Sequence, residues 1–271
     1  MEPEVKFEAV SFGKRLKSML KVDFRRMLRS GLFYILVACA FVIPILMTVM
    51  MTMMDGSVSV NPQTGAETVI EGPENTWQSI GTLPVSDGAA MGGMDVMSMC
   101  NINMMFMLVA VFICLFISDD FRSGYAKNLF TVRAQKGEYV VSKTMAGFVC
   151  GALMLLAYFI GALLGGAISG LSFDLAGLSM GNIVMCMLAK IFLMLVFIPI
   201  FVLISVAAKQ KAWLAICGSL GGGMLLFMMV PMITPLGSTM MHVILCLAGG
   251  AMFAFGLGAI SNVVLKKTSL V

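Results

Sequence analysis

The stretch MGNIVMCMLAKIFLMLVFIPIFVLISVAA, residues Met180–Ala208, carries a single charge, Lys190, and is otherwise almost wholly apolar. About 20 such residues suffice for a helix to cross the hydrocarbon core of a bilayer. Five further stretches read the same way: Gly31–Met54, 97–118, 144–170, 212–233 and 242–265. Composition agrees, because 59% of the residues are hydrophobic and 12% charged, whereas a soluble domain is about half apolar and about a quarter charged. The expectation is an all-α, polytopic membrane protein with six transmembrane helices. The stretch 212–233 is the least regular, with Gly221, Gly222 and Gly223 followed by Pro231 and, beyond it, Pro235. Such residues are tolerated at membrane depth only where neighbours satisfy the backbone, so a kink or a re-entrant passage is expected there.

Charge sets the orientation. Of the 18 Lys and Arg, all but Lys190 fall on one side of this six-span arrangement. They comprise Lys6, Lys14, Arg15, Lys17, Lys21, Arg25, Arg26 and Arg29, then Arg122, Lys127, Arg133, Lys136 and Lys143, then Lys209 and Lys211, and finally Lys266 and Lys267. The alternate segments 55–96, 171–179 and 234–241 hold no Lys or Arg, but do hold Asp55, Glu67, Glu71, Glu74, Asp87, Asp95 and Asp174. Cytoplasmic flanks carry the positive excess, so both termini are expected in the cytosol. The net charge of +4 is thus a topology signal, and no nucleic-acid partner is implied. The first apolar run is of full span length and follows thirty amphipathic residues, which is not the pattern of a cleavable signal peptide.

Two units follow. In residues 1–30, Phe12, Leu16, Leu20, Phe24 and Leu28 recur every four positions beside a parallel row of Lys17, Lys21, Arg25 and Arg29, the pattern of a cytosolic helix lying in the membrane interface. It anchors the topology, and its length suits contact with a cytosolic partner as well. Residues 31–271 form the membrane domain. Its outer loop, 55–96, is rich in Gly and Pro and weakly patterned, and is expected to be solvated rather than a lid, although Trp77 and Ile80 could pack it back on the membrane surface.

Small residues recur at helical spacing: Gly147 and Gly151, Gly161 and Gly165, Gly166 and Gly170, Gly218 and Gly222, Ala254 and Gly258. In lipid, helices associate by packing, and such pairs let backbones approach closely. The seven Cys are scattered singly without CxxC spacing, so neither a disulfide framework nor a metal site is expected. The 28 Met suit either lipid-facing filler, the reading preferred here, or an adaptable surface for amphipathic cargo.

No catalytic residue is expected. There is no GxxxxGK[ST], and the single histidine, His242, lies in no HExxH. Lys190, alone within a span, has two readings: a polar point on a translocation path, or a side chain snorkelling to the nearer interface.

The segment 119–143 leaves the membrane, turns at Gly124, forms a short amphipathic helix near 125–132, turns again near Gly137 and re-enters after Lys143. Its Asp119, Asp120, Phe121, Gly124, Tyr125, Lys127, Leu129, Arg133, Tyr139 and Lys143 resemble the coupling segment of ABC-2 type transporter permeases. That pattern runs from an acid and a phenylalanine through glycine, lysine, leucine and arginine to a lysine opening the third span. The chain departs from it in having aspartates for the usual glutamate and Tyr125 for a frequent threonine, which leaves charge and turn intact. The resemblance extends through span number, cytosolic termini, interfacial helix and long first outer loop, and is strongest to the bacterial group serving export of, or immunity to, bacitracin and lantibiotics. It implies a multi-pass protein of the bacterial cytoplasmic membrane in which residues 121–129 dock on a separate, dimeric ABC ATPase. ATP and Mg would be bound by that partner and not by this chain, and a second permease copy or a sister permease would complete the exporter. The cargo implied is an amphipathic peptide, antibiotic or lipid-like molecule. The reading from another class is a non-transporting scaffold or sensor with a cytosolic partner.

Overall fold

A computed structural model of the chain describes residues 11–60, 67–69, 72–81, 101–132, 136–175 and 177–267. An amphipathic helix, α1 (Phe12–Arg29), breaks at Ser30 and leads into the apolar α2 (Gly31–Met54). A two-stranded antiparallel ribbon follows, β1 (Val58–Val60) against β2 (Glu67–Val69). Next come α3 (Met105–Arg122), entered through a 3-10 turn at Ile102–Met104, the short α4 (Tyr125–Val132), α5 (Gly137–Ser169) and α6 (Met180–Ala208). The chain closes with α7 (Ala212–Phe227), a single turn α8 (Val230–Ile233), and α9 (Met240–Lys267).

Five of these helices, α2, α3 with its entry turn, α5, α6 and α9, are long and apolar enough to cross a membrane. The sixth apolar segment is broken. With 16 residues, α7 is about 24 Å long, less than the roughly 30 Å of a hydrocarbon core. It follows the end of α6 through the turn at Lys209–Lys211, where Lys211 N–H donates to the Ala208 carbonyl. Beyond α8 the chain climbs to Ser238, whose carbonyl accepts from Asn182 Nδ2 in the first turn of α6 at 3.2 Å. The segment therefore runs the whole length of α6. It crosses once as a broken helix and does not re-enter, and the helical run expected over 212–233 is interrupted at Met228 and Met229.

α3 is the most enclosed helix and packs on α5, α6 and α7; α2 lies on α5, α9 on α6, and α1 on the start of α5. The core between them is aromatic, with Phe106, Phe197 and Phe201 in sequence of contact. Contacts identify the two ends of the bundle. Arg15 to Glu138 and Lys136 to the Leu265 carbonyl gather the starts of α1 and α5 and the end of α9 at the basic end. α5 has 33 residues, about 50 Å, and begins at Gly137 rather than after Lys143, so its first two turns lie at that end as helix. Its far end closes at Gly170 in a Schellman motif, with φ of 69° and Leu171 N–H on the Gly166 carbonyl.

The expected small-residue pairs divide into seams and surface. Gly161 and Gly165 receive α2 at its Pro44: a Cβ at Gly161 would overlap the Phe41 carbonyl oxygen and press on Pro44 at 2.8 Å. Gly147 and Gly151 receive Ile113 and Val109 of α3 together with Ile198 and Met194 of α6. Gly166 seats Thr76 of the outer segment, and Gly218 and Gly222 face Ile204.

Residues 55–58 of the outer loop are exposed, as expected of a solvated loop, but residues 72–81 are packed against the bundle. Thr76 N–H donates to the Ser172 carbonyl at 3.0 Å, Trp77 Nε1 to the Phe173 carbonyl at 3.1 Å and Asn75 Nδ2 to the Asp174 carbonyl at 2.5 Å. Trp77 and Ile80 are buried and Gly81 lies on Leu236. These anchors, indistinct in a weakly patterned loop, make residues 72–81 a cap over the ends of α5 and the α8–α9 connection.

Replacement of Gly161 by leucine is expected to cost about 1–3 kcal/mol or more through overpacking, read as a lowered melting temperature in detergent. Gly256→Leu on α9, where an added Cβ meets nothing within 4 Å, should leave it unchanged.

Candidate functional site: an ion network behind a helical elbow

The last turn of α3, the whole of α4 and the first turns of α5 form an elbow at the basic end. Gly124 makes its corner with a φ of 73°, a backbone conformation that glycine adopts without strain. The N–H of Ser123 closes α3 on the Asp119 carbonyl, and that of Asn128 opens α4 on the Gly124 carbonyl.

Behind the elbow lies a buried ion network. Lys143 Nζ is 2.8 Å from Asp23 Oδ1 of α1 and 2.7 Å from Asp120 Oδ2 of α3. Arg26 of α1 binds the other oxygen of Asp120 at 2.6 Å. Tyr139 O–H donates to Asp120 Oδ2 at 2.9 Å, and Ser142 Oγ donates to Asp23 Oδ2 at 2.5 Å. Aromatic faces complete the shell: the Lys143 ammonium stands 3.9 Å from the Phe116 ring centroid, and the Arg26 guanidinium 4.3 Å from that of Tyr125. Asp23, Asp120 and Lys143 have no solvent-exposed side chain. Two carboxylates and two cations balance, as burial of charge requires. A second tie, Arg15 Nε to Glu138 Oε1 at 2.7 Å, places a carboxylate in the first turn of α5, where the helix dipole favours it.

Burial works against charge on Arg26, but the Asp120 carboxylate outweighs it by its charge and hydrogen bond, so the guanidinium is held above the ordinary arginine range. Because that shift is upward, the contribution of Arg26 is complete below its unfolded value and is lost only in stronger alkali. Arg26 is therefore a permanent cation of the site.

The outer face of the elbow is polar. Arg122, Ser123, Lys127, Asn128 and Thr131 are exposed, whereas Phe121 and Ala126 are buried and Leu129 and Phe130 are half-buried against the core. The arrangement makes no catalytic constellation; what it provides is a rigid basic knob held from behind.

A family model described as "ABC-2 family transporter protein" matches residues 19–225. The chain belongs to the ABC-2 transporter family. No curated protein and no solved structure matches it. As a member it is a transmembrane subunit of an ABC transporter, a transport component that is not itself catalytic, and membership implies an ABC ATPase as partner. The matched stretch reaches from α1 into α7 and includes the elbow and the whole network.

In this permease the residues singled out in the sequence separate into three groups. Asp120, Phe121 and Lys143 are interior anchors, with Leu129 and Tyr125 partly so; Lys127 is outward, and Asp119 is 69% exposed, 3.9 Å from Arg26. Arg133 lies outside the described residues. Lys17, Lys21, Arg25 and Arg29 are exposed on α1, as are Phe12 and Leu28 at the ends of its apolar stripe, while Leu16, Leu20 and Phe24 are half-buried. Lys190 does not snorkel: it is fully buried within the bundle, bonded to Asn103 Oδ1 at 2.8 Å and Thr234 Oγ1 at 3.0 Å.

Sequence reasoning missed the second face of α1. Met19, Asp23 and Met27, spaced by four, are its buried residues and face α5. The available signal was Asp23 itself, the single acid in a helix crowded with Lys and Arg.

Removal of one partner from a buried ion network costs about 3–5 kcal/mol, whereas an exposed charge is worth less than about 1 kcal/mol. Asp120→Ala should therefore lower the melting temperature of the purified permease sharply while Asp119→Ala leaves it almost unmoved. Equal effects would show that the two neighbouring acids share one environment.

Proposed function

We propose that this permease couples ATP hydrolysis on a separate, dimeric ABC ATPase to export of an amphipathic peptide, antibiotic or lipid-like molecule across the bacterial cytoplasmic membrane, working as two permease subunits, identical or sisters. The observation that supports coupling is the elbow. Its exposed face offers Arg122, Lys127, Asn128 and Thr131, while its inner face is tied through Asp120 and Lys143 to α1, α3 and α5. ATP-driven motion can shift a transporter between states only through contacts that differ between them. A short helix held by three others transmits such a displacement to the spans, whereas a flexible loop absorbs it.

The reading as a member of the bacitracin and lantibiotic group rests on the wording of the 119–143 segment. An amphipathic cargo is consistent with the apolar, Met-rich spans and with the shortage of charge in the bundle. The exposed Lys17, Lys21, Arg25 and Arg29 of α1 complement anionic headgroups on the cytosolic leaflet.

Affinity purification of the tagged permease in mild detergent tests the coupling. A nucleotide-binding subunit should accompany the wild type and be lost from Lys127→Glu, Thr131→Glu, a double change on the exposed face that spares the buried network. A nucleotide-binding subunit retained by the double variant would remove α4 from the docking surface. If none accompanies either protein, the scaffold or sensor reading takes its place.

A further inference from the structure

Lys190 is a buried cation whose partners are neutral. Its Nζ has three donor positions, and the acceptors it meets are Asn103 Oδ1 and Thr234 Oγ1. Among the described residues no carboxylate lies within ion-pair distance of it. The bond to Asn103 also fixes the orientation of that amide, since its oxygen must face the ammonium. Asn103 Nδ2 is thereby left buried with no hydrogen-bond acceptor. The third ammonium proton and the amide N–H₂ are two donor groups side by side, about 15 Å along α6 from its non-basic end.

A lone ammonium at that depth is costly to keep out of water. Where one is kept inside a bundle it marks a functional site more often than a packing choice. The neighbouring backbone supports this. Lys190 stands on the continuous helix α6, but its two partners stand on interrupted elements, Asn103 in the 3-10 turn before α3 and Thr234 at the end of the one-turn α8. Broken helices at membrane depth are tolerated where they line a cavity or are buried in protein, and in transporters they recur at binding sites.

We propose that Lys190 and Asn103 form an anion site that opens toward the non-basic face and receives the carboxylate or phosphate of the transported molecule. The proposal rests on the transport reading above and adds to it the class of cargo: an amphiphile with at least one anionic oxygen group. In the closed arrangement Asn103 and Thr234 stand in for that group at the ammonium. In the open one the cargo's oxygens accept from Lys190 Nζ and Asn103 Nδ2, so the site is electropositive when unliganded.

Cys186, one turn before Lys190 on α6, is buried beside it with its Sγ 3.6 Å from the Thr234 carbonyl. It reports on the site. In intact cells carrying the full-length permease with Cys186 as its one cysteine, two membrane-impermeant thiol reagents would be compared, sulfonatoethyl methanethiosulfonate, an anion, and trimethylammonioethyl methanethiosulfonate, a cation. Electrostatic focusing should favour the anion by about tenfold or more. Lys190→Gln should bring the two rates close to parity, and Lys190→Arg should keep the preference, which also guards against a variant that fails to fold. Protection by N-lauroylglycine would identify a carboxylate cargo, and protection by dodecyl phosphate a phosphate cargo. Absence of labelling by either reagent, a preference that survives Lys190→Gln, or protection by neither amphiphile would overturn the proposal. None of these readouts needs the ATPase, so loss of the anion site and loss of the transport reading are separable results.

Discussion

Lys143 holds the basic end of this molecule together by standing between two carboxylates that come from different helices. Asp23 arrives on α1 and Asp120 on α3, and the ammonium from α5 lies within 2.8 Å of both. An ammonium removed from water cannot be left half paired, because the uncompensated charge costs more than the pair contributes. Each of the three helices is therefore held in angle and register against the others, and the elbow between α3 and α5 inherits that rigidity. Arg26 extends the same constraint outward, joining the buried Asp120 to the ring of Tyr125 at the start of α4.

The rest of the bundle is held by a different kind of force. Between α2 and α5, Gly161 and Gly165 bring the backbones into contact, and among α3, α5 and α6, Gly147 and Gly151 leave room for the side chains of Ile113, Val109, Ile198 and Met194. Where lipid is the alternative neighbour, apolar burial gives no preference for helix over solvent, and close packing decides association. The two ends are then specialised. Charge pairs organise the basic end, and neutral hydrogen bonds from residues 75–77 to the carbonyls of residues 172–174 organise the other.

Between these ends, Lys190 departs from the pattern, since its hydrogen bonds go to an amide and a hydroxyl rather than to a carboxylate. The basic end shows what a permanently satisfied lysine looks like in this chain. Set beside Lys143, Lys190 has the partners of a group whose proper counter-charge comes from elsewhere.

Much of the architecture could be read from residue order alone. The number of apolar stretches, their separation by basic and acidic segments, the amphipathic helix before α2, the corner at Gly124 and the short helix at 125–132 all depend on local periodicity, charge or a single conformational preference, which a linear sequence carries. So does the break in the sixth crossing, announced by its glycines and prolines. What the sequence left open depends on which residues meet across long separations. Asp119 and Asp120 are chemically equivalent neighbours, and only the hundred-degree turn between successive helical positions puts one on Lys143 and the other in the open. Asp23 reads as a minor interruption in a basic row until α1 is laid on α5, and Trp77 as a loop residue until Phe173 receives it. The fold class followed from hydropathy because the bilayer acts on each segment separately; the ion network and the polar site at Lys190 followed only from tertiary structure, because a buried charge is defined by its partners, and these stand on other elements, as far as 120 residues away.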